Sequence, residues 1–221
     1  MTKRVLLSWS SGKDSAWALW LLRKDPSVEV VALLTTVSEP TGRVAMHAVR
    51  SELLAAQAKA AGLPLWQVSL PDPCPNTEYA ARMSHVVERA RADNIDAIAF
   101  GDLFLEDIRR YREERLAESG LEVLFPLWQL PTRALAREML AAGLRAHLAS
   151  VDTTQLPASL AGRSFDETLL SELPAAADPC GENGEFHTFV SAGPMFREPV
   201  SVRLGEITQH DGFARADLLP A

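Results

Sequence analysis

A chain of 221 residues with 47% apolar content can build one larger domain, or a domain of ~130 residues with a smaller partner. Acidic residues outnumber basic ones by 29 to 22, a formal charge of −7. That balance argues against a nucleic-acid partner, which calls for a basic face. No apolar run approaches the ~18 residues of a membrane span, and "VLLSW" is too short for a signal-peptide core. The two cysteines, Cys74 and Cys180, form neither a CxxC pair nor a disulfide framework. A cytoplasmic, enzyme-sized protein with no membrane partner is expected.

In chain order, Val5–Leu7 reads as a continuous apolar strand. "DSAWALWLLRK" reads as a helix ended by Asp25-Pro26, because proline disfavours helix in the residue before it. "EVVALLTTV" is a second buried strand. "MHAVRSELLAAQAKAAG" places Val49, Leu53, Ala56 and Ala60 on one helical face and stops at Gly62, a helix terminator. "LWQVSL" is a third strand, and Asn76 is expected to cap the helix carrying Tyr79, Met83, Val86 and Ala90. "AIAFGD" is a fourth strand, "LEDIRRYREERLAESG" a charged helix and "LEVLFPLW" a fifth strand. This alternation predicts a Rossmann-like, doubly wound parallel sheet of about five strands over residues 1–126. Beyond Pro126 the pattern changes. "TRALAREMLAAG" and "FDETLLSEL" read as helices and "HLASVD" as a strand, followed by loop and alternating strand. Residues 127–221 are expected to form a smaller α+β domain.

Ligands of such sheets lie beyond the carboxyl ends of the strands, where two segments stand out. "SWSSGKDS" leaves the first strand and enters the first helix. There free amide groups, the helix dipole and the charge of Lys13 favour a phosphate. The common G-x-x-x-x-G-K-[ST] pattern fails, since Leu7 lies five before Gly12 and Asp14 follows the lysine. "FGDLFLED" leaves the fourth strand, with Gly101 permitting close backbone approach and Asp102 placed to hold Mg²⁺ or orient a nucleophile. The following run of Glu106, Arg109, Arg110, Glu113 and Glu114 suits solvated ion pairs at i,i+3 and i,i+4. A third segment, "DPCGENGEFHTF" at 178–189, crowds Glu182, Asn183, Gly184, Glu185 and His187. Asn-Gly alone is a hairpin signal, but the acids can bind an amine or a metal.

Ser10-Ser11-Gly12-Lys13-Asp14-Ser15 resembles the pyrophosphate loop of the N-type ATP pyrophosphatases, written SGGxDS, with Ser11 replacing a glycine. That substitution is mild at negative φ and harmful at positive φ. "SSGKDS", "MHAVR" (46–50), "GDLFLEDIRRYRE" (101–113), "GRSFD" (162–166) and "GENGEFHT" (181–188) together resemble the diphthine–ammonia ligase family of these proteins. Its members more often read GEGGE followed by an aromatic, Glu and Thr; Asn183 and His187 depart from that pattern. The resemblance implies a HUP-type fold and ATP and Mg²⁺ as cofactors. Ser10–Ser15, Gly101 and Asp102 would lie on the nucleotide, with Asp14 and Asp102 as metal ligands. On the acceptor side it implies His47, Arg50, Glu106, Arg109, Arg112, Glu182, Asn183, Gly184, Glu185 and His187. Glu182 and Glu185 are expected near the α-phosphate, and His187 as a base. The implied activity is adenylation of a small-molecule or protein carboxylate, then amide formation with ammonia or an amine. The alternative is an ATP-binding regulatory module without turnover, in which the acid-rich loop has no purpose. Sulfur transfer to RNA does not fit two separated cysteines and a negative charge. An oligomer is compatible with the sequence.

Overall fold

The computed structural model describes residues 2–44 and 47–221. The first part runs β1 (Lys3–Ser8), α1 (Lys13–Lys24), β2 (Val28–Ser38), α2 (Ser51–Ala61), β3 (Leu65–Leu70), α3 (Asn76–Ala92), β4 (Ala97–Ala99), α4 (Glu106–Leu116) and β5 (Glu122–Leu124). Its five strands pair in parallel in the order β3-β2-β1-β4-β5. The burial of β1 explains this architecture. Val5, Leu6 and Leu7 are all inaccessible to solvent, with Val5 and Leu7 facing one core and Leu6 the other. In β4, Ala97 and Ala99 face the first core and Ile98 the second. Strands covered on both faces become unbroken apolar runs, and helices must supply the cover.

The second part runs α5 (Thr132–Ala141), β6 (Arg145–Asp152), α6 (Glu167–Glu172), β7 (Phe186–Ala192), β8 (Val202–His210) and β9 (Phe213–Pro220). Its strands form an antiparallel sheet in the order β7-β6-β9-β8. The expected α/β fold with a smaller α+β part is therefore present, and the expected division at 126/127 falls between β5 and α5. One continuous core joins the parts: Trp17 and Leu19 of α1 and Leu53 and Leu54 of α2 share it with Leu148, Val151, Phe189 and Val190 of the second sheet. The opposite face of the parallel sheet is covered more thinly. There α3 buries only Val86 and Ala90, and α4 only Leu116. Among the described residues no helix is long and apolar enough to cross a membrane.

Three local expectations are corrected. The helix read from residue 46 begins at Ser51; Met46 lies outside the described residues. Arg43 and Arg50 instead bridge in antiparallel fashion, and both donate to Asp217 of β9. That ion-paired anchor, 167 residues away from Arg50, overrides the local helical spacing. Asn76 is the first helical residue rather than the cap, a position held by Pro75. The fifth strand stops at Leu124, since Pro126 lacks the N–H needed to continue a ladder.

A buried glutamine ties the sheets together beneath the loop after β1. Gln57 Nε2 donates to the Ser11 carbonyl at 3.0 Å and to the Val190 carbonyl at 2.7 Å, while its Oε1 accepts from Trp9 Nε1 at 2.9 Å. Val190 N–H in turn donates to Ser11 O at 3.0 Å. The loop is thereby pinned to β7.

Candidate active site

The turn from β1 to α1 has no side-chain cap; Gly12 is the N-cap in extended conformation. The first bond onto it runs from Ala16 N–H to Gly12 O at 3.1 Å. Amides ahead of Ala16 consequently lack intrahelical acceptors and face the positive end of the dipole. Close packing explains the glycines. A Cβ on Gly12 would stand 2.9 Å from His47 Cε1, and one on Gly101 would stand 3.0 Å from the backbone of Asp14 and Ser15. Gly101 thus lets the end of β4 press against the first turn of α1. Ser11, by contrast, sits at φ 71°, the sterically costly side for a residue with a Cβ. Among the described residues its buried hydroxyl has no partner.

Lys13 does not project freely from this turn. It is 2% exposed, and its Nζ donates to Asp14 Oδ1 and Oδ2 at 3.0 and 2.8 Å and to the Cys180 carbonyl. The rings of Phe186 and Phe165 lie 5.5 and 5.9 Å from the ammonium. Burial pulls the Lys13 pKa down, but Asp14 and the other acidic groups around it together hold the group above its usual value, so it is charged. Burial raises the Asp14 pKa in spite of Lys13. Lys13 N–H donates to Thr188 Oγ1 at 3.0 Å, a contact with β7 that completes the seam.

Above the loop lies a cleft of about 370 Å³ whose walls include Ser10, Lys13–Ser15, Gly101, Asp102, Arg112, Glu182, His47 and His187. The two expected loops therefore do open on one edge. Asp102 is gripped by Arg112, with Nε and Nη2 at 2.6 and 3.0 Å from its two oxygens. Glu182 Oε1 accepts from Leu103 N–H at 2.7 Å. Burial, opposed by that bond and helped by Asp14, pushes the Glu182 pKa up to about 7. His47 and His187 stack with centroids 4.6 Å apart. Burial first, then His187, lowers the His47 pKa to about 3; burial and Lys13 lower that of His187 to about 4. Both imidazoles are neutral near pH 7 and weakly basic.

Other expected acceptor residues lie elsewhere. Glu185 is 1% exposed and fastens its own turn, Oε1 accepting from Asp178 N–H at 2.7 Å and Asn183 Nδ2 at 3.2 Å. Glu185, Asn183 and Gly184 are not in the cleft wall, nor are Arg50, Glu106 and Arg109. Arg50 pairs with Asp217, and Arg109 pairs with Glu113 and lies over Phe125 and Trp128. Gln57 and Asp217 were not legible in the sequence: each acts on a residue distant in the chain, and no short motif marks them; Thr188 closes the GENGEFHT motif, but its bond to the Lys13 amide could not be read from it.

A parallel sheet of this order, with a serine–glycine–lysine loop at its first strand end, defines a PP-loop type α/β protein. Two family models match the chain: the diphthamide synthase N-terminal domain over residues 3–123 and the diphthamide synthase C-terminal domain over residues 131–217. The chain belongs to this diphthine–ammonia ligase-like PP-loop family. It is similar to the diphthine–ammonia ligase of Homo sapiens, 32% identical over 130 residues, covering 55% of this chain and 48% of that protein. The Danio rerio diphthine–ammonia ligase is 32% identical over 145 residues, covering 62% and 55%. That of Schizosaccharomyces pombe is 30% identical over 122 residues, covering 53% and 20%. The chain spans about half the length of the human and zebrafish relatives and a fifth of the yeast one.

Replacing Ser11 by glycine removes both an unfavourable φ and an unpartnered buried hydroxyl. The positive φ costs a non-glycine residue about 1–2 kcal/mol, partly offset by the greater freedom of glycine in the unfolded chain. Ser11→Gly is expected to raise the melting temperature in calorimetry by about 2–5 °C. A lowered melting temperature would show that the hydroxyl has a structural partner.

Proposed function

We propose that the protein is an ATP-dependent amide-forming ligase that activates a carboxylate and passes it to ammonia or an amine. The observation that carries this reading is the convergence of the loop amides, Lys13, two aspartates and one carboxyl titrating near neutrality on a single cleft. Family membership supports it. Residues 1–126 would hold the nucleotide and residues 127–221 would supply the acceptor side, through Glu182 and His187.

The Asp14 and Ser15 amides, the Ser10 and Ser15 hydroxyls and the Lys13 ammonium would bind the β- and γ-phosphates. They would stabilise the charge that develops on pyrophosphate, the kind of preorganised electrostatic effect that dominates such transfers. Lys13 must then exchange Asp14 for phosphate oxygens. An oxygen of the acceptor carboxylate attacks the α-phosphorus, the bond to the β-phosphate oxygen breaks, and an amine later displaces AMP. Glu182 takes the proton the amine loses, its pKa near the working pH being suited to that role. His47 and His187, uncharged, leave the α-phosphate region free of competing cations.

Mg²⁺ fits this donor set only as an ion held mainly by phosphates and water. Among the described residues no group of three or more His, Cys, Asp and Glu could form a protein cage, whereas Mg²⁺ needs only one or two carboxylates beside phosphates. Asp14, with 26% of its side chain exposed, would hold it, joined by Asp102 once Arg112 lets go. The ion would offset the charge of the leaving pyrophosphate.

Incubation with ATP, Mg²⁺, ammonium and a pool of carboxylic acids, followed by ion-exchange chromatography, tests the reading. AMP and pyrophosphate are expected. ADP and phosphate would contradict it, and tight ATP binding with no products would favour the regulatory module.

The acceptor step also has a predicted pH dependence. Below pH about 7 Glu182 is protonated and cannot accept, so the amination rate should rise as pH increases through that value and then level off. Glu182→Gln should flatten this limb and lower the rate, with ATP affinity within about threefold of wild type by calorimetry. An unchanged pH limb in the variant would assign the titration to another group.

A further inference from the structure

The thin cover on the α3/α4 face of the parallel sheet leaves a second cavity, of about 340 Å³. Its floor is apolar: Leu34, Ile98, Phe100 and Leu116, each at most 8% exposed, with Met83 and Val87 on the α3 side. A gap of this size in an otherwise close-packed layer is within the range of small-molecule sites. The wall positions on α3 run from Tyr79 to Arg91, about 18 Å along the helix axis at 1.5 Å per residue. The cavity is therefore long rather than round.

It adjoins the loop cleft. Phe100 and Arg112 line both spaces, and Arg112 lies over the Phe100 ring at 4.2 Å. Arg112 holds Asp102 on the cleft side. Beside it, Arg115 stands over Tyr111 at 5.3 Å. Among the described residues Arg115 has no carboxylate within ion-pair distance, and neither Tyr79 nor Tyr111 has a hydrogen-bonded hydroxyl. Glu88 and Glu118 also reach the wall. They accompany Arg91, whose guanidinium is occupied by the Ser119 and Glu118 carbonyls at 2.6 and 3.0 Å.

An apolar trough with Arg112 at the cleft boundary and Arg115, Tyr79 and Tyr111 in its wall fits an anion with a hydrocarbon body. It disfavours an ammonium, which those arginines would repel. We propose that this cavity binds the hydrocarbon part of the acid that is activated, with its carboxylate on Arg112 at the boundary of the loop cleft. The substrate class is a medium-chain or aryl-alkyl carboxylic acid. This rests on the ligase reading given above. The incoming carboxylate takes Arg112 in a paired geometry of the kind Asp102 now uses, so binding of the acid frees Asp102 to face the phosphates.

Calorimetric titration with sodium octanoate tests the assignment, with octylammonium chloride and octan-1-ol as controls and with or without α,β-methylene-ATP. Octanoate is expected to bind at least tenfold more tightly than either control. Ser84 is an exposed α3 residue on the cavity wall, outside the loop cleft. Ser84→Trp should fill the trough and weaken octanoate at least tenfold, while the affinity for α,β-methylene-ATP stays within twofold. Arg115→Gln should weaken octanoate but not octan-1-ol. Absence of octanoate binding, equal binding of octylammonium, or octanoate affinity unchanged in Ser84→Trp would each overturn the proposal. If octanoate fails while another acid yields AMP and pyrophosphate, the cavity assignment falls and the ligase reading stands. If octanoate binds in the trough but ATP is never converted to AMP with any acid, the ligase reading falls and with it the role of octanoate as substrate.

Discussion

A fully charged ammonium buried where two sheets meet is the constraint on which the rest of the molecule depends. An unpaired ammonium in an apolar interior is prohibitively costly, so it must be surrounded by acceptors. Lys13 finds them in Asp14 and the Cys180 carbonyl, beside two aromatic rings. Cys180 belongs to the turn before β7, and Phe165 to the segment before α6. The cation thus fixes the second sheet against the first turn of α1 while remaining in the wall of the cleft. In the proposed function its partner Asp14 would yield to an arriving anion, which would link ligand binding to the seam between the sheets.

Close approach of backbone to backbone follows from the same arrangement. The start of α1 is pressed between the end of β4 and β7, and Gly12 and Gly101 are the positions where a side chain would collide. Gln57 supplies both carbonyls of the seam with donors from beneath. Asp217 anchors Arg43 and Arg50, and His47 lies over Gly12. The pairing depresses the Asp217 pKa to about 2, so the anchor persists well into the acid range. Its contribution is present above the usual carboxylate pKa and is lost as pH falls through 2.

The fold was legible wherever burial on both faces wrote itself into the chain. Val5–Leu7, Val30–Leu34 of the second strand and Ala97–Ala99 are unbroken apolar runs, and the helices between them carry their own periodicity. The loop after β1 was legible because its chemistry is local, set by one glycine, hydroxyls and a lysine within six residues. What sequence could not show depends on partners far along the chain. Residues 47–50 read as helical in the sequence, yet Arg50 is held by Asp217 and the helix begins at Ser51. Glu185 looked like a ligand for substrate, yet it fastens the turn that bears Glu182. Glu182 and Glu185 are indistinguishable as residue types; only burial and the direction of the side chain separate the group that faces the cleft from the one that does not.

The central claim is that one cleft receives the nucleotide, with Lys13 transferring from Asp14 to phosphate. A crystal structure with α,β-methylene-ATP and Mg²⁺ tests it most directly. The account predicts the β- and γ-phosphates against residues 10–15, Lys13 Nζ within hydrogen-bonding distance of a phosphate oxygen, and Asp14 turned away from the lysine. Phosphates bound elsewhere, or Lys13 still closed on Asp14 beneath a bound nucleotide, would contradict it.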